Sequence, residues 1–176
     1  MLSSSRKSLE KKLTEYKMIL PLVTSVVWVD FLVILTSKFR SLGHSLDKWY
    51  SMFGMVAVIS DCTVILLGIF IAMWIVPNAS IGTLAFVSVA VQIVHDVLFY
   101  YGVILPIPKG YNKMIDVFKE YSAENSWKIL VADAVMIAST VLGASYVKNM
   151  NSTTQWFLFF LGIYALTYVI YTRNAK

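Results

Sequence analysis

Four aspartates, Asp30, Asp61, Asp96 and Asp133, interrupt otherwise oily runs, and Asp96 follows a histidine in the stretch VQIVHDVLFY (91–100). An acid at the centre of a bilayer costs about 2.5–3.5 kcal/mol on insertion scales, so such residues turn inward and serve a purpose there. Three chemistries suit them. Carboxylates can accept hydrogen bonds from Tyr, Trp, Ser or His95, or from lysines reaching down such as Lys48, Lys109 or Lys128, and so build a fixed network. Close carboxyls can share protons, because like charges oppose each other's ionisation. They can also line a route for protons or cations, with His95 as a relay. The fixed network is the preferred reading and the ion route its rival.

Catalysis has thinner support. His95-Asp96 alone lacks the several ligands at defined spacing that a metal needs, and no HExxH, GxSxG, phosphate loop or glycine-rich nucleotide turn is present. Cys62, the one cysteine, reads as a packed thiol beside Asp61. The expectation is therefore a non-enzyme with no catalytic residue, no metal and no cofactor.

The elements that hold these acids are set by composition. The 176 residues are 58% hydrophobic with a mean hydropathy of +0.69, against roughly 45–50% apolar in soluble domains. A chain this short cannot bury that much apolar surface in water. Five segments approach the ~20 apolar residues that cross a bilayer: residues 18–36, 52–76, 82–105, 128–147 and 154–171. The fold expected is an all-α polytopic bundle of about five transmembrane helices in one membrane domain spanning 1–176. Residues 1–17 are polar and basic, without the apolar core and small-residue cleavage site of a secretory signal, so none is expected.

With the N-terminal side called A and the other B, the aspartates fall at one level. Each lies five to nine residues from the side-B end of its span, or ~7–14 Å down at 1.5 Å per residue. Ser88, Gln92 and Asp96 recur every fourth residue and form one polar stripe, with His95 at its edge. The expected buried layer is thus Asp30, Asp61, Gln92, His95, Asp96 and Asp133. Small residues share a stripe on the second span (Gly54, Ala57, Gly68, Ala72) and suit close helix approach.

Two further segments are amphipathic. In 1–17, which hold five bases including Arg6, Lys7, Lys11 and Lys12, Leu2, Leu9, Leu13 and Tyr16 roughly share a helical face, which predicts a surface helix or an extension of the first span. After Pro106, Pro108 and Gly110 end span three, Tyr111, Met114, Ile115, Phe118 and Tyr121 follow helical spacing, so a short interfacial helix is predicted over 111–121. These two faces are the expected contacts with lipid or a partner. The water-exposed parts carry 15 Lys and Arg against six acids, once the four span aspartates are set aside from the ten Asp and Glu. That excess favours anionic headgroups or an acidic protein surface. No specific nucleic-acid motif is present, and self-association is left open. Nine of the bases fall on side B and six on side A, which tilts the orientation toward a cytoplasmic side B.

The stretch QIVHDVLFYYGVILPIPKGYNKMIDVFKEYSAENSWKILVADAVM (92–136) resembles small multi-span membrane proteins of large double-stranded DNA viruses of algae and protists. The resemblance rests on His95-Asp96, the Pro-rich break with Gly110, the Asp116–Tyr121 piece and Asp133, and covers about a quarter of the chain. It implies a transmembrane minor capsid or virion membrane protein, in the internal membrane beneath an icosahedral capsid, with capsid or other membrane proteins as partners. It implies no catalytic residues.

Overall fold

The computed structural model describes the backbone of residues 2–40 and 43–172 and the side chains of residues 17–39 and 43–172. Among the described residues every regular element is helical. The basic tail and the first span form one helix, α1 (Leu2–Arg40), which runs through Pro21 without ending. Of the two forms expected for the tail, the backbone thus takes the extension of the span. The side chains of Arg6, Lys7, Lys11 and Lys12 lie outside the described residues.

Four segments are long and apolar enough to cross a membrane: Lys17–Phe39, Met55–Ile75, Ile81–Ile104 and Lys128–Val147. They correspond to the rest of α1, to α3 (Met55–Ile75), to α4 (Ile81–Phe99) with one π-helical turn (Tyr100–Ile104), and to α6 (Lys128–Val147). The fifth expected span is the 18-residue helix α7 (Ser152–Val169). Its polar opening, Ser152-Thr153-Thr154-Gln155, leaves it less apolar than the other four.

The core forms around α1, which packs against α3, α6 and α7, while α4 closes the far side against α3 and α6. Leu22, Val26, Ile34, Ile69, Ile137, Val141 and Leu166 are fully or almost fully buried there. Glycine permits two of these contacts. A Cβ on Gly143 of α6 would lie 2.4 Å from Ser25 Oγ, and one on Gly162 of α7 would lie 2.6 Å from Val27 Cγ1. Two hydrogen bonds fix the direction of α7: Thr24 Oγ1 donates to the Gln155 carbonyl (3.4 Å) and Trp28 Nε1 to that of Leu158 (3.0 Å). The paired numbers rise together, so α7 runs parallel to α1.

The segment between the first two spans is not a plain loop. It folds as α2 (His44–Phe53), and α3 begins only after Gly54, whose φ of 53° is a left-handed value that glycine adopts without strain. Leu46, Trp49, Tyr50 and Phe53 supply the apolar face at spacings of three, one and three. The second amphipathic helix, α5 (Lys113–Asn125), starts two residues later and ends four residues later than the sequence pattern suggested. Asn112 caps it, its Oδ1 accepting from the amides of Met114 (2.9 Å) and Ile115 (3.2 Å).

α5 docks on α2 by its acids. Glu120 pairs with Lys48. Glu124 accepts from the amides of His44 and Ser45, both at 2.8 Å, at a helix start where Gly43 has no side chain to offer. It satisfies two of the orphan N–H groups and places negative charge where the helix dipole favours it. The Ser45 side chain, followed by these two amides, holds the Glu124 carboxyl below its ordinary value of 4.5. A depressed folded value means that the contribution is full above 4.5 and is lost as pH falls through the lower folded value. Amide exchange at the start of α2 is therefore expected to accelerate on acidification through that range. In Glu124→Ala it should be fast at every pH, by roughly fivefold for a lost cap of about 1 kcal/mol. Unchanged exchange in the variant would mean that Glu124 does not hold α2.

Candidate functional site

The four aspartates are arranged as two pairs. In the first, Asp30 on α1 and Asp61 on α3 flank the hydroxyl of Tyr50 on α2. Tyr50 Oη lies 3.3 Å from Asp30 Oδ1 and 3.0 Å from Asp61 Oδ2, so one hydrogen serves two carboxyls. Trp49 Nε1 adds a second donor to Asp61 Oδ2 at 3.1 Å. Asp30 is fully buried, and its Oδ2 has no hydrogen-bond partner.

The second pair is Asp96 on α4 and Asp133 on α6. Gln92 Nε2 donates to Asp96 Oδ1 at 2.7 Å, and His95 Nδ1 lies 3.1 Å from the same oxygen. Both nitrogen donors thus converge on Oδ1, and the buried Oδ2 receives neither. Asp133 is a neighbour of Asp96 and interacts electrostatically with Asp61. Further along the stripe, Ser88 is fully buried with an unpaired Oγ, and Gln92 keeps an unpaired Oε1. Gln92 fits because Gly68 faces it: a Cβ there would stand 3.2 Å from Gln92 Oε1.

Of the six residues expected in this layer, Asp30 and Gln92 are buried and Asp61, Asp96 and Asp133 are partly covered. His95 departs from the inward expectation. Its side chain is 44% exposed although its Nδ1 touches the layer; residue 95 stands about 60° around the helix from Gln92 and about 100° from Asp96, at the edge of the stripe. Lysines do not descend to the acids. Lys48 goes to Glu120, and among the described residues no lysine or arginine forms an ion pair with any of the four. Donors to Asp30 and Asp61 are a Trp and a Tyr, two of the residue types expected, at positions 49 and 50 that the sequence reading did not single out. The period of Leu46, Trp49, Tyr50 and Phe53 was the signal that could have found them.

An aromatic lid closes the side-B end. Trp49 packs on Phe53 (5.0 Å between ring centroids) and on Phe118 of α5 (4.7 Å). Phe118 meets Phe99 edge-on at 6.0 Å, and Phe99 stacks on His95 at 5.7 Å. The apolar face of α5 is consequently spent inside the molecule. Ile115 is buried, Met114 and Phe118 pack against the core, and Tyr121 is half-buried; Tyr111 alone of the five expected contact residues is mainly exposed.

Chemically the layer is rich in acceptors and poor in donors. Among the described residues no group of three or more His, Cys, Asp or Glu side chains could hold a metal ion. Compared with known proteins, the chain matches no family model, no curated protein and no solved structure.

Proposed function

We propose that the chain is a structural integral membrane protein: five crossing helices locked by an internal polar layer, with a side-B cap and a basic tail that engage lipid or a protein shell. The observation that carries this reading is the lid. Asp30 and Asp61 take their donors from Trp49 and Tyr50, and α2 and α5 lie across the side-B end where an ion path would need a mouth. Buried polar groups held in this way can specify one bundle geometry. The parallel course of α1 and α7 supports a fifth crossing, because first and fifth spans of an alternating bundle enter from the same side. The joint packing of α2 and α5 supports an interfacial cap.

The resemblance over residues 92–136 supports placing this protein in the internal membrane of a large DNA virus, tying that membrane to capsid components. Gentle detergent extraction from such particles, followed by mass spectrometry, tests it. Stoichiometric capsid proteins released by salt are the expected result, together with vesicles of the purified protein that pass no more protons or cations than empty ones. Recovery without capsid proteins, combined with flux that Asp96→Asn abolishes, would overturn the reading. It would favour the rival, a small proton or cation carrier, which draws its support from the proximity of Asp96 and Asp133.

A further inference from the structure

At the side-A end the helices leave a cavity of about 340 Å³, within the ~300–1,000 Å³ of small-ligand sites. It lies where α3 ends, α4 begins and α6 ends, beside the start of the first span. Its lining is graded. Asn78, in the turn between α3 and α4, and Lys148 and Asn149, just past α6, form a polar rim. Met73 and Leu84 lie two and three residues inside the ends of α3 and α4, or ~3–5 Å deeper at 1.5 Å per residue. With Met18 they supply apolar walls. Charge and amide above, thioether and leucine below, is the order of a lipid's headgroup and the first part of its chains.

Charge decides the kind of headgroup. Lys148 is exposed and pairs with no acid among the described residues. The side-A segments 76–80 and 148–152 contain no Asp or Glu, and every acid with a described side chain lies on side B or in the aspartate layer. Asn149 also quiets the end of α6. Its Nδ2 donates to the Ser145 carbonyl at 3.2 Å and its backbone N–H to that of Tyr146 at 3.1 Å. Those carbonyls are thus satisfied and present less negative charge to an anion. We propose that this cavity binds the phosphate of one anionic phospholipid from the side-A leaflet. Lys148 is its counter-charge, since a lysine ammonium is a common phosphate binder, and the Asn78 carboxamide is a neutral donor beside it. The acyl chains pass over Met73 and Leu84 into the bilayer. A free phosphate would use the same rim but leave the apolar walls against water, which is unfavourable. The site rests on the membrane placement of the apolar helices and not on the virion role.

The test is native mass spectrometry of the full-length protein in a neutral detergent, offered phosphatidylglycerol, phosphatidylcholine and inorganic phosphate in turn. One retained phosphatidylglycerol per chain is expected, at about fivefold the retention of phosphatidylcholine, with no retained phosphate. Lys148→Gln should weaken this binding about fivefold, the worth of one basic residue at a lipid surface. Lys128→Gln, at the side-B end of α6, should leave it unchanged. Ala79→Trp, which fills the cavity without altering its charge, should lower retention as Lys148→Gln does. Equal retention of the two lipids by the wild type would overturn the proposal. Phosphate held as well as the lipid would make this a free-anion site and overturn the lipid assignment. Equal losses in Lys148→Gln and Lys128→Gln would show that general positive charge, not the cavity, holds the lipid, and would overturn it too. The wild-type comparison can refute the site even if a variant fails to insert. None of these results bears on the recovery of capsid proteins, so failure here and failure of the structural role are read apart.

Discussion

Tyr50→Phe is expected to cost the folded protein roughly 2–5 kcal/mol, because one hydroxyl serves two carboxyls. Asp30 is completely buried, and Tyr50 Oη is the one donor on its carboxyl among the described contacts. Removing the hydroxyl leaves Asp30 with none and strips Asp61 Oδ2 down to the indole N–H of Trp49. An acceptor left buried and unsatisfied costs about 1–3 kcal/mol, more when charged, and here two carboxyls are affected by one change. The ring itself is retained, so packing is not the cause. Denaturant unfolding in micelles reads the loss. The cause is separated by a double-mutant cycle with Asp30→Asn. If the hydroxyl serves Asp30, Tyr50→Phe costs at least about 1 kcal/mol less in the Asp30→Asn background, because a neutral amide needs the donor less. Additive costs would show that the hydroxyl does not serve Asp30.

That experiment also marks where the sequence stopped being readable. The level of the acids was legible, because four helices of alternating direction can be placed against their ends by counting residues. Boundaries set by Pro, Gly and charge were legible too: α6 runs from Lys128 to Val147, as expected. The donors were not. Trp49 and Tyr50 lie on a ten-residue amphipathic helix between two spans, too short to register as a span and masked by the charged residues Asp47 and Lys48 beside it. The facing of His95 was not legible either. His95 sits at the edge of the stripe, and a sequence pattern cannot say how wide the inward sector is until the neighbouring helices are placed. The apolar face of α5 was legible as a face. What covers it was not, because that required α2. The partner for those side chains is the same chain, with Glu124 and Glu120 fixing the register.

The close approach of α7 to α1 gives the second large effect. Gly162→Ala is expected to destabilise the bundle by about 2–4 kcal/mol. The added Cβ would stand 2.6 Å from Val27 Cγ1 and 3.2 Å from Trp28 Nε1. Neither neighbour can yield easily. Valine in a helix has essentially one side-chain rotamer, and the Trp28 indole is held by its bond to the Leu158 carbonyl at 3.0 Å. Helix α7 must therefore back away from α1, with an overpacking cost of about 1–3 kcal/mol and the loss of a hydrogen bond worth about 1 kcal/mol. The control is Gly82→Ala, where a Cβ meets nothing within 4 Å and a change within about 0.5 kcal/mol is expected, as for other unencumbered positions. Val27→Ala combined with Gly162→Ala should recover part of the loss by removing the methyl that the new Cβ meets. The comparison bears on topology as well as stability. Without a hydrophobic drive between helices in lipid, small residues that let backbones approach are what hold one span to the next. If Gly162→Ala proves as harmless as Gly82→Ala, α7 does not lie along α1 at this distance. The parallel pairing that supports a fifth crossing then loses its basis. A loss confined to Gly162→Ala, and relieved by Val27→Ala, would place α7 within the membrane beside the helix that carries Asp30.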